Sequence, residues 1–292
     1  MLFRIIICMC LALLSVTDGN AQTISAGGAT GGEMNSDRKL LIDSAVYKVT
    51  YLISIVKDST QNDMKTEGYG LLVMGNKRSL FTDYYIAQAD SVTAEMEAEG
   101  IEGFAQASRL LGVLKNRVFD NQVAMNYPEE GRLTVQDEGS VRKYRYEEPV
   151  PDFGWKLVDE EKEILGFICR KATMRFRGRN YTAWYSEELP FPSGPYLFGG
   201  LPGLIFDIVD DKNEYRFTLA GFESVNQPFP ITITDRNVEN VSREDYRKIK
   251  KALNDNPELN FKNIPGIEIN LTPEDIKRMN SKKRPYNPIE KE

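Results

Sequence analysis

The chain has 292 residues, with 37 lysines and arginines against 43 aspartates and glutamates, which gives a formal net charge of −6. An acidic balance argues against binding to nucleic acid and against a charge-driven hold on anionic lipid. The absence of histidine excludes Ser-His-Asp and Cys-His nucleophile systems, histidine-ligated zinc and imidazole acid–base catalysis. With 41% hydrophobic and 10% aromatic residues, the chain is predicted to bury a large core.

The first 21 residues are predicted to be a signal peptide. Arg4 precedes an apolar stretch over residues 5–16, and small residues lead to Ala21, after which cleavage is expected. The apolar stretch is too short for a membrane span, which needs roughly 20 residues. Residues 22–40, which are rich in Gly, Ala, Ser and Thr, are predicted to form a flexible leader. The protein is therefore expected to be periplasmic or secreted, without a transmembrane span.

Cysteine usage predicts a domain without disulfides. Cys8 and Cys10 lie in the apolar stretch and are expected to leave with the signal peptide, so Cys169 alone remains. Its apolar neighbours favour a buried small hydrophobic residue. A reactive thiol is the alternative, but the chain has no histidine to activate it.

The first half of the domain is predicted to open with an antiparallel meander. Residues 46–55 alternate apolar and polar side chains, and residues 69–74 and 79–85 return after short polar turns. Residues 91–116 break the alternation and are predicted to form one or two short helices, with a long polar insertion as the alternative.

Strand-like alternation returns in the middle of the chain. It covers residues 117–127 and 131–146, and the polar residues 159–163 are expected to form a loop. Residues 169–176 and 181–186 are predicted to be a hairpin in which Gly178 takes the positive-φ position of the turn.

The C-terminal part is predicted to change from strand to helix. Residues 205–209 should pair with residues 214–222, and a further strand covers residues 231–234. Ser242 and Thr272 have the pattern of helix N-caps. The charged tail after Lys282 is expected to be frayed.

A glycine- and proline-rich motif precedes the strand at residues 205–209. Pro202-Gly203 fits the centre of a type II turn in which Gly203 has a positive φ, and the next residues form a buried strand. No lysine follows the glycines until Lys212, so a phosphate-binding loop is excluded. The motif is therefore predicted to be a structural turn and strand, made of Gly200, Leu201, Pro202, Gly203, Leu204 and Ile205.

Acidic residues follow the motif without the spacing of a calcium loop. Asp210, Asp211 and Glu214 are expected to close a hairpin turn together with the amide residue Asn213. Asp207 lies within an apolar run, so its carboxylate must either face solvent or find a buried partner. Adjacent glutamates at residues 129–130, 160–161 and 187–188 are predicted to be solvated charges. No catalytic residue, metal site or cofactor is predicted.

The letters of residues 200–205 spell GLPGLI, the signature of a family of exported proteins from Gram-negative bacteria that has no established activity. Resemblance to the GLPGLI family extends to Gly166, Cys169–Ala172, Tyr181, Ala183–Tyr185, Gly194-Pro195 and Asn287-Pro288-Ile289-Glu290. It implies a single β-rich domain over residues 41–292. The strand order also resembles periplasmic lipoprotein carriers, which implies a mainly β (α+β) fold with a curved antiparallel sheet, or half-open β-barrel, and a few helices.

Three functions follow from this fold. The first is a non-catalytic protein that binds a hydrophobic or lipid-linked ligand against the inner face of the sheet. The second is an envelope adaptor for another protein, with its core filled by its own side chains. The third, a carboxylate-based hydrolase, requires two carboxylates that face one pocket. The sequence assigns no ligand-binding residue, and it identifies the partner only as an unknown envelope protein or a hydrophobic ligand.

Overall fold

The computed structural model describes residues 39–61, 64–101, 104–140, 142–235, 238–261, 271–281 and 285–292. The predicted signal peptide and nearly all of the predicted leader lie outside these residues. The described part contains thirteen strands: β1 (Lys39–Val56), β2 (Lys65–Gly75), β3 (Ser79–Asp83), β4 (Asn121–Met125), β5 (Arg132–Asp137), β6 (Lys143–Pro149), β7 (Lys156–Ile164), β8 (Phe167–Phe176), β9 (Arg179–Ser186), β10 (Leu204–Asp210), β11 (Tyr215–Ser224), β12 (Pro230–Thr234) and β13 (Val238–Asn240). It also contains four α-helices, α1 (Tyr84–Ala98), α2 (Phe104–Leu114), α3 (Arg243–Asp255) and α4 (Pro273–Ser281), and the 3-10 turn Pro257–Phe261.

The strands form one curved sheet that does not close on itself. Its order is β13-β6-β5-β4-β3-β2-β1-β11-β10-β9-β8-β7, and β12 pairs with the beginning of β1. Every pairing is antiparallel except that of β13 with β6. The predicted mainly β fold with a curved antiparallel sheet and a few helices is therefore confirmed. Among the described helices, none is long and apolar enough to cross a membrane.

Two helices occupy the insertion after the meander, but they begin earlier than predicted. Strand β3 ends at Asp83, whose carboxylate accepts a hydrogen bond from the backbone N–H of Tyr85 at 2.8 Å and caps α1. The other carboxylate oxygen accepts the N–H groups of Val118 and Phe119 at 2.9 and 3.1 Å. One buried side chain thus ends the strand, starts the helix and holds the returning chain.

The prediction of a loop at residues 159–163 is wrong. These residues belong to β7, the edge strand of the sheet, which pairs with β8 through a bulge after Val158. Most of the strand is exposed on both faces, so it needs no apolar alternation, and sequence periodicity cannot reveal it.

The main core fills one face of the sheet. Tyr51 and Ile53 of β1, Phe217 of β11 and Ile208 of β10 are each at most 1% exposed and lie in one cluster. Residues 187–203, which we call the motif loop, contribute four more side chains to this cluster: Tyr196, Leu197, Phe198 and Leu201. The motif loop therefore packs against the face of the sheet on which the sequence allowed a hydrophobic ligand to bind.

Candidate functional site

The turn of the motif differs from the predicted type II geometry. Gly200 has a φ of +78°, whereas Gly203 lies outside the left-handed region. Gly203 is required for a different reason, because a Cβ atom at this position would lie 2.0 Å from the carbonyl oxygen of Ser186. The prediction that Gly203 supplies a positive φ is thus wrong, and close backbone packing explains the glycine instead.

Strand β10 follows the motif and is buried on both faces. Leu204, Ile205, Phe206 and Ile208 are all 0% exposed. The pairing with β9 shifts between Ile205 and Asp207, which makes Phe206 the extra residue of a bulge. The strand is therefore buried, as predicted, and the bulge at Phe206 interrupts the regular alternation of its side chains.

Asp207 is buried and has found a partner, although that partner, Arg216, has a side chain that is 43% exposed rather than buried. Its carboxylate is 3% exposed and accepts both Nε and Nη2 of Arg216, at 3.0 and 2.9 Å. The hydroxyl of Thr218 donates a third hydrogen bond at 2.8 Å. The bidentate pair supplies hydrogen-bond donors to a carboxylate that would otherwise be buried in an apolar strand without a partner.

Residues of the motif loop line two cavities. The indole N–H of Trp155 donates to the carbonyl of Gly199 at 2.9 Å, and a bridge joins Ser193 to Gly199. Phe191 and Phe198 face one cavity, and Tyr196 faces the other. We call the first the motif cavity and the second the tail cavity.

The motif cavity has a volume of about 420 Å³ and an apolar wall. The wall consists of five side chains: Tyr47, Met74, Met125, Phe191 and Phe198. The rings of Tyr47 and Phe191 lie 4.7 Å apart, and both are only partly buried. The cavity therefore presents aromatic surface that the fold has not covered.

Lys77 and Arg78 form a cationic lip on the motif cavity. Arg78 donates to the carbonyl oxygens of Asn126, Ile42 and Pro128 at 3.1, 2.8 and 3.1 Å, which fixes its guanidinium in place. Lys77 is exposed, and among the described residues no carboxylate forms an ion pair with either cation.

Asp43 forms hydrogen bonds with the backbone of the cationic lip instead of ion pairs with its two charged side chains. Its carboxylate accepts the N–H groups of Lys77 and Arg78 at 3.0 and 2.9 Å. Burial raises the pKa of Asp43, but these backbone hydrogen bonds outweigh that effect and the pKa falls below its ordinary value. The carboxylate thus stabilises the turn that presents both cations.

On the other side of the motif loop, Arg179 uses all five of its N–H groups. Nη1 donates to Asp210 and Glu214 at 2.6 and 2.7 Å. The remaining three reach the C-terminal tail: Nη2 donates to the Oδ1 of Asn287 and the carbonyl of Pro288 at 2.8 and 2.6 Å, and Nε to the carbonyl of Ile289 at 3.0 Å. A guanidinium has five donors, and here each has an acceptor.

The tail is therefore docked, and the prediction that the chain after Lys282 is frayed is wrong for residues 285–292. Sequence composition shows only a charged, apolar-poor segment, whereas the structure holds it by hydrogen bonds to buried cations and tyrosines. We call the surface that holds it the tail groove, made of Arg177, Arg179, Tyr181, Tyr196, Tyr215 and Arg243.

The acidic residues after the motif close the β10–β11 hairpin, as predicted. Asp210 accepts the N–H groups of Glu214 and Tyr215 at 2.7 and 2.8 Å, and Asn213 adopts a positive φ of 52°. The sequence did not reveal that Asp210 and Glu214 also hold Arg179. Burial raises the pKa of Glu214, but hydrogen bonds from Arg179 and Lys291 outweigh it, and the pKa lies below its ordinary value.

The tail cavity also has a volume of about 420 Å³ and is lined by Phe119 and four tyrosines, Tyr196, Tyr215, Tyr246 and Tyr286. Two carboxylates line it, those of Asp120 and Glu290. Both oxygens of Glu290 already accept hydrogen bonds within the tail groove, and Asp120 pairs with Arg117 at 3.1 Å. Both carboxylates that line the tail cavity, the arrangement that a carboxylate-based hydrolase requires, are thus already bound by other groups of the chain.

Cys169 is fully buried in β8, as predicted. Burial raises the pKa of its thiol to about 11. A thiol with this pKa is almost wholly protonated at neutral pH, which is typical of a packing residue. Within the described chain, no group of three or more metal-binding side chains is arranged around a common point.

Comparison with known proteins gives a family for the motif region. Residues 177–207 match the model of a family described as "Protein of unknown function (Porph_ging)". The match confirms the resemblance to the GLPGLI family over the part of the chain that carries the motif. The match begins at Arg177 and includes Arg179, the motif loop and Asp207. It therefore contains residues that line both cavities.

The other comparisons add no assignment of fold or function. No curated protein matches the chain. Two solved structures of PNGF-II, in space groups P21 and C2, are similar with TM-scores of 0.47 and 0.46 and 13% sequence identity. The alignments cover 70% of this chain and 33% and 32% of the PNGF-II chains, so this chain spans about a third of their length. No function is transferred at this level of similarity.

Sequence reasoning missed the arginines of the tail groove. The sequence predicts only a hairpin turn at Arg177-Gly178-Arg179, and positive φ values at Arg177 and Gly178 confirm the turn, whereas Arg179 already begins β9. The available signal was the tail itself, since Asn287-Pro288-Ile289-Glu290 was recognised as typical of the family without a structural reason.

Proposed function

We propose that this protein is exported to the cell envelope, where it binds, without catalysis, an amphipathic ligand with an apolar body and an anionic head. The ligand occupies the motif cavity. The observation that carries this proposal is that a wall of aromatic and methionine side chains, with Tyr47, Met125 and Phe191 only partly buried, meets a cationic lip to which no carboxylate of the described residues forms an ion pair.

The size and chemistry of the cavity support an apolar body. Its volume of about 420 Å³ lies within the roughly 300–1,000 Å³ of small-molecule sites. Met74 and Met125 have flexible thioether side chains that adapt to irregular apolar shapes. Each methylene that enters such a wall contributes about 0.8 kcal/mol.

The lip supports an anionic head. Lys77 carries its charge on a flexible, exposed side chain, whereas the guanidinium of Arg78 is fixed by three carbonyl oxygens. An anion placed between them gains attraction without breaking an existing ion pair. Charge and apolar surface thus line one cavity.

An envelope adaptor remains a second candidate because a specific observation favours it. The four buried side chains of the motif loop fill the face of the sheet on which a carrier would hold acyl chains. Binding inside the sheet is therefore replaced in our proposal by binding at the motif cavity. Export itself rests on the signal-peptide pattern of residues 1–21.

Native mass spectrometry of protein extracted from bacteria, followed by titration with a fluorescent fatty acid, tests the proposal. We expect a co-purified lipid mass, and fatty-acid uptake that Phe191→Ala and Lys77→Glu both weaken. Two matched controls should bind normally: Leu253→Ala, which truncates an apolar side chain of the tail cavity, and Lys65→Glu, which reverses an exposed charge at the far end of β2. A clean apo mass without fatty-acid uptake would favour the adaptor.

A further inference from the structure

The tail groove binds three consecutive peptide units of the tail. The hydroxyl of Tyr215 donates to the carbonyl of Asn287 at 2.6 Å, and Arg179 donates to the carbonyls of Pro288 and Ile289 at 2.6 and 3.0 Å. The tail joins no strand of the sheet. Side chains therefore hold these three peptide units, as in a peptide bound to a receptor, and one backbone hydrogen bond, from the N–H of Lys291 to the carbonyl of Arg177 at 2.9 Å, follows them.

The groove also recognises the side chains of the tail. The amide of Asn287 donates to the carbonyl of Val56 and accepts from Arg179, each at 2.8 Å, so an aspartate here would lose the donor. Pro288 has no N–H that would need a partner. Ile289 packs, partly buried, against the main core. Three successive positions thus favour Asn, Pro and an apolar residue.

The fourth position requires a carboxylate. Glu290 is 7% exposed and accepts the hydroxyl of Tyr196 at 2.6 Å and the Nε and Nη2 of Arg243 at 3.0 and 2.8 Å. Arg177 donates to the same carboxylate. Burial raises the pKa of Tyr196 well above its ordinary value, so its hydroxyl remains a donor. Two arginines and a phenol converge on one acid group.

The frame of the groove is held by residues outside the tail. Asp210 and Glu214 fix Nη1 of Arg179, and Glu148 accepts a hydrogen bond from Arg177. Tyr196 is placed by the motif loop. These contacts hold Arg177 and Arg179 from outside the tail, so both are positioned in advance for a peptide, whereas Arg243 donates to Glu290 and Glu292 of the tail itself.

We infer that the tail groove is a peptide-recognition site for the sequence Asn-Pro-apolar-Glu, which the chain's own tail fills in cis and the tail of a second copy of this chain fills in trans. The ligand is defined by the four positions described above. Exchange of an identical element between copies replaces each contact with the same contact, so its cost is small. This inference does not depend on the motif cavity.

The test uses the full chain with its own tail made unable to bind, as Asn287→Ala/Glu290→Ala. A labelled peptide with the sequence of residues 286–291 is titrated into this variant and followed by fluorescence anisotropy. We expect saturable binding, weakened roughly 10-fold to 100-fold when the glutamate of the peptide is replaced by glutamine, since charge-assisted hydrogen bonds are lost. The unsubstituted protein should bind the peptide more weakly, because its own tail competes at high effective concentration.

A second measurement addresses the partner. The tail-deficient variant is mixed with Arg243→Ala, which keeps a normal tail but loses part of the groove, and the masses are followed by native mass spectrometry. We expect a mixed dimer that neither variant forms alone. A folded tail-deficient variant that binds no peptide would overturn the inference, and a mixture of two folded variants that forms no mixed dimer would overturn its second half, the filling in trans. If the double variant fails to fold, Glu290→Gln, which keeps the shape of the side chain, takes its place. Peptide binding by this variant is then the expected result, and its absence the contradicting one.

Discussion

Gly203 of the motif lies against Ser186 at the end of β9, so closely that a Cβ atom on the glycine would be 2.0 Å from the serine carbonyl oxygen. Leu204, the next residue, pairs with Ser186 in the sheet. The motif therefore marks the point where the chain leaves the motif loop and enters the core beside β9. Only a residue without a side chain permits this approach.

Replacement of either glycine by alanine should distinguish steric overlap from backbone strain. Gly203→Ala forces a methyl group into the backbone of Ser186, and we expect a loss of about 3 kcal/mol or more in the free energy of unfolding. Gly200→Ala retains a positive φ of 78° but meets only Phe153 at 3.5 Å, so its loss should be about 1–2 kcal/mol. Urea denaturation of both variants measures the difference. The opposite order would show that the positive φ, and not the close packing, makes the motif glycine-rich.

Arg179 should be among the costliest side chains to remove. Arg179→Met leaves the buried carboxylates of Asp210 and Glu214 without their shared cation, and we expect a loss of about 3–5 kcal/mol in the free energy of unfolding. Arg175→Met is the matched control, since its side chain is 73% exposed and pairs only with Glu292. Its loss should stay below about 1 kcal/mol. Equal urea midpoints for the two variants would contradict the role given to Arg179.

Stability should fall in acid through Glu214. Because its pKa in the folded protein lies below the ordinary value of 4.5, its carboxylate contributes stability that is fully present above pH 4.5 and is lost as pH falls through the folded pKa. Urea midpoints measured from pH 7 to pH 3 should therefore drop more steeply for the unsubstituted protein than for Glu214→Gln. The variant should be less stable at pH 7. Parallel curves would show that Glu214 does not provide this acid sensitivity.

The thiol of Cys169 should be protected by the fold. Its raised pKa of about 11 reduces the thiolate fraction at pH 8 on the order of 100-fold relative to an ordinary cysteine. With Cys8 and Cys10 replaced by serine, a disulfide reagent should label the folded protein at least that much more slowly than the protein in urea. Rapid labelling of the folded protein would indicate an accessible, activated thiol instead.

The sequence predicted those elements whose local pattern reflects burial. The alternation in β1 and the return strands follows the core face, and the Ser242 pattern caps α3 through a hydrogen bond between its hydroxyl and the N–H of Asp245. Strand β7 could not be predicted in this way, since an exposed edge strand leaves no apolar period. Its place follows only from pairing with β8.

The candidate sites were less accessible to sequence reasoning, because they depend on residues far apart in the chain. Arg179 and Asn287 are separated by 108 positions, and Lys77 meets Phe191 only across the motif cavity. Neither pair has a local signature. The buried charge of Asp207 was the exception, since a carboxylate inside an apolar strand must have a partner, and the structure supplies Arg216.

Ligand binding at the motif cavity is tested most directly by a calorimetric titration with saturated fatty acids of six, eight and ten carbons. Each added methylene that enters the apolar wall should strengthen binding by about 0.8 kcal/mol, which is about four-fold in Kd. Phe191→Ala should reduce this increment, and Leu253→Ala should leave it unchanged. Affinity that does not depend on chain length, or an increment that Phe191→Ala leaves intact, would contradict the proposed site.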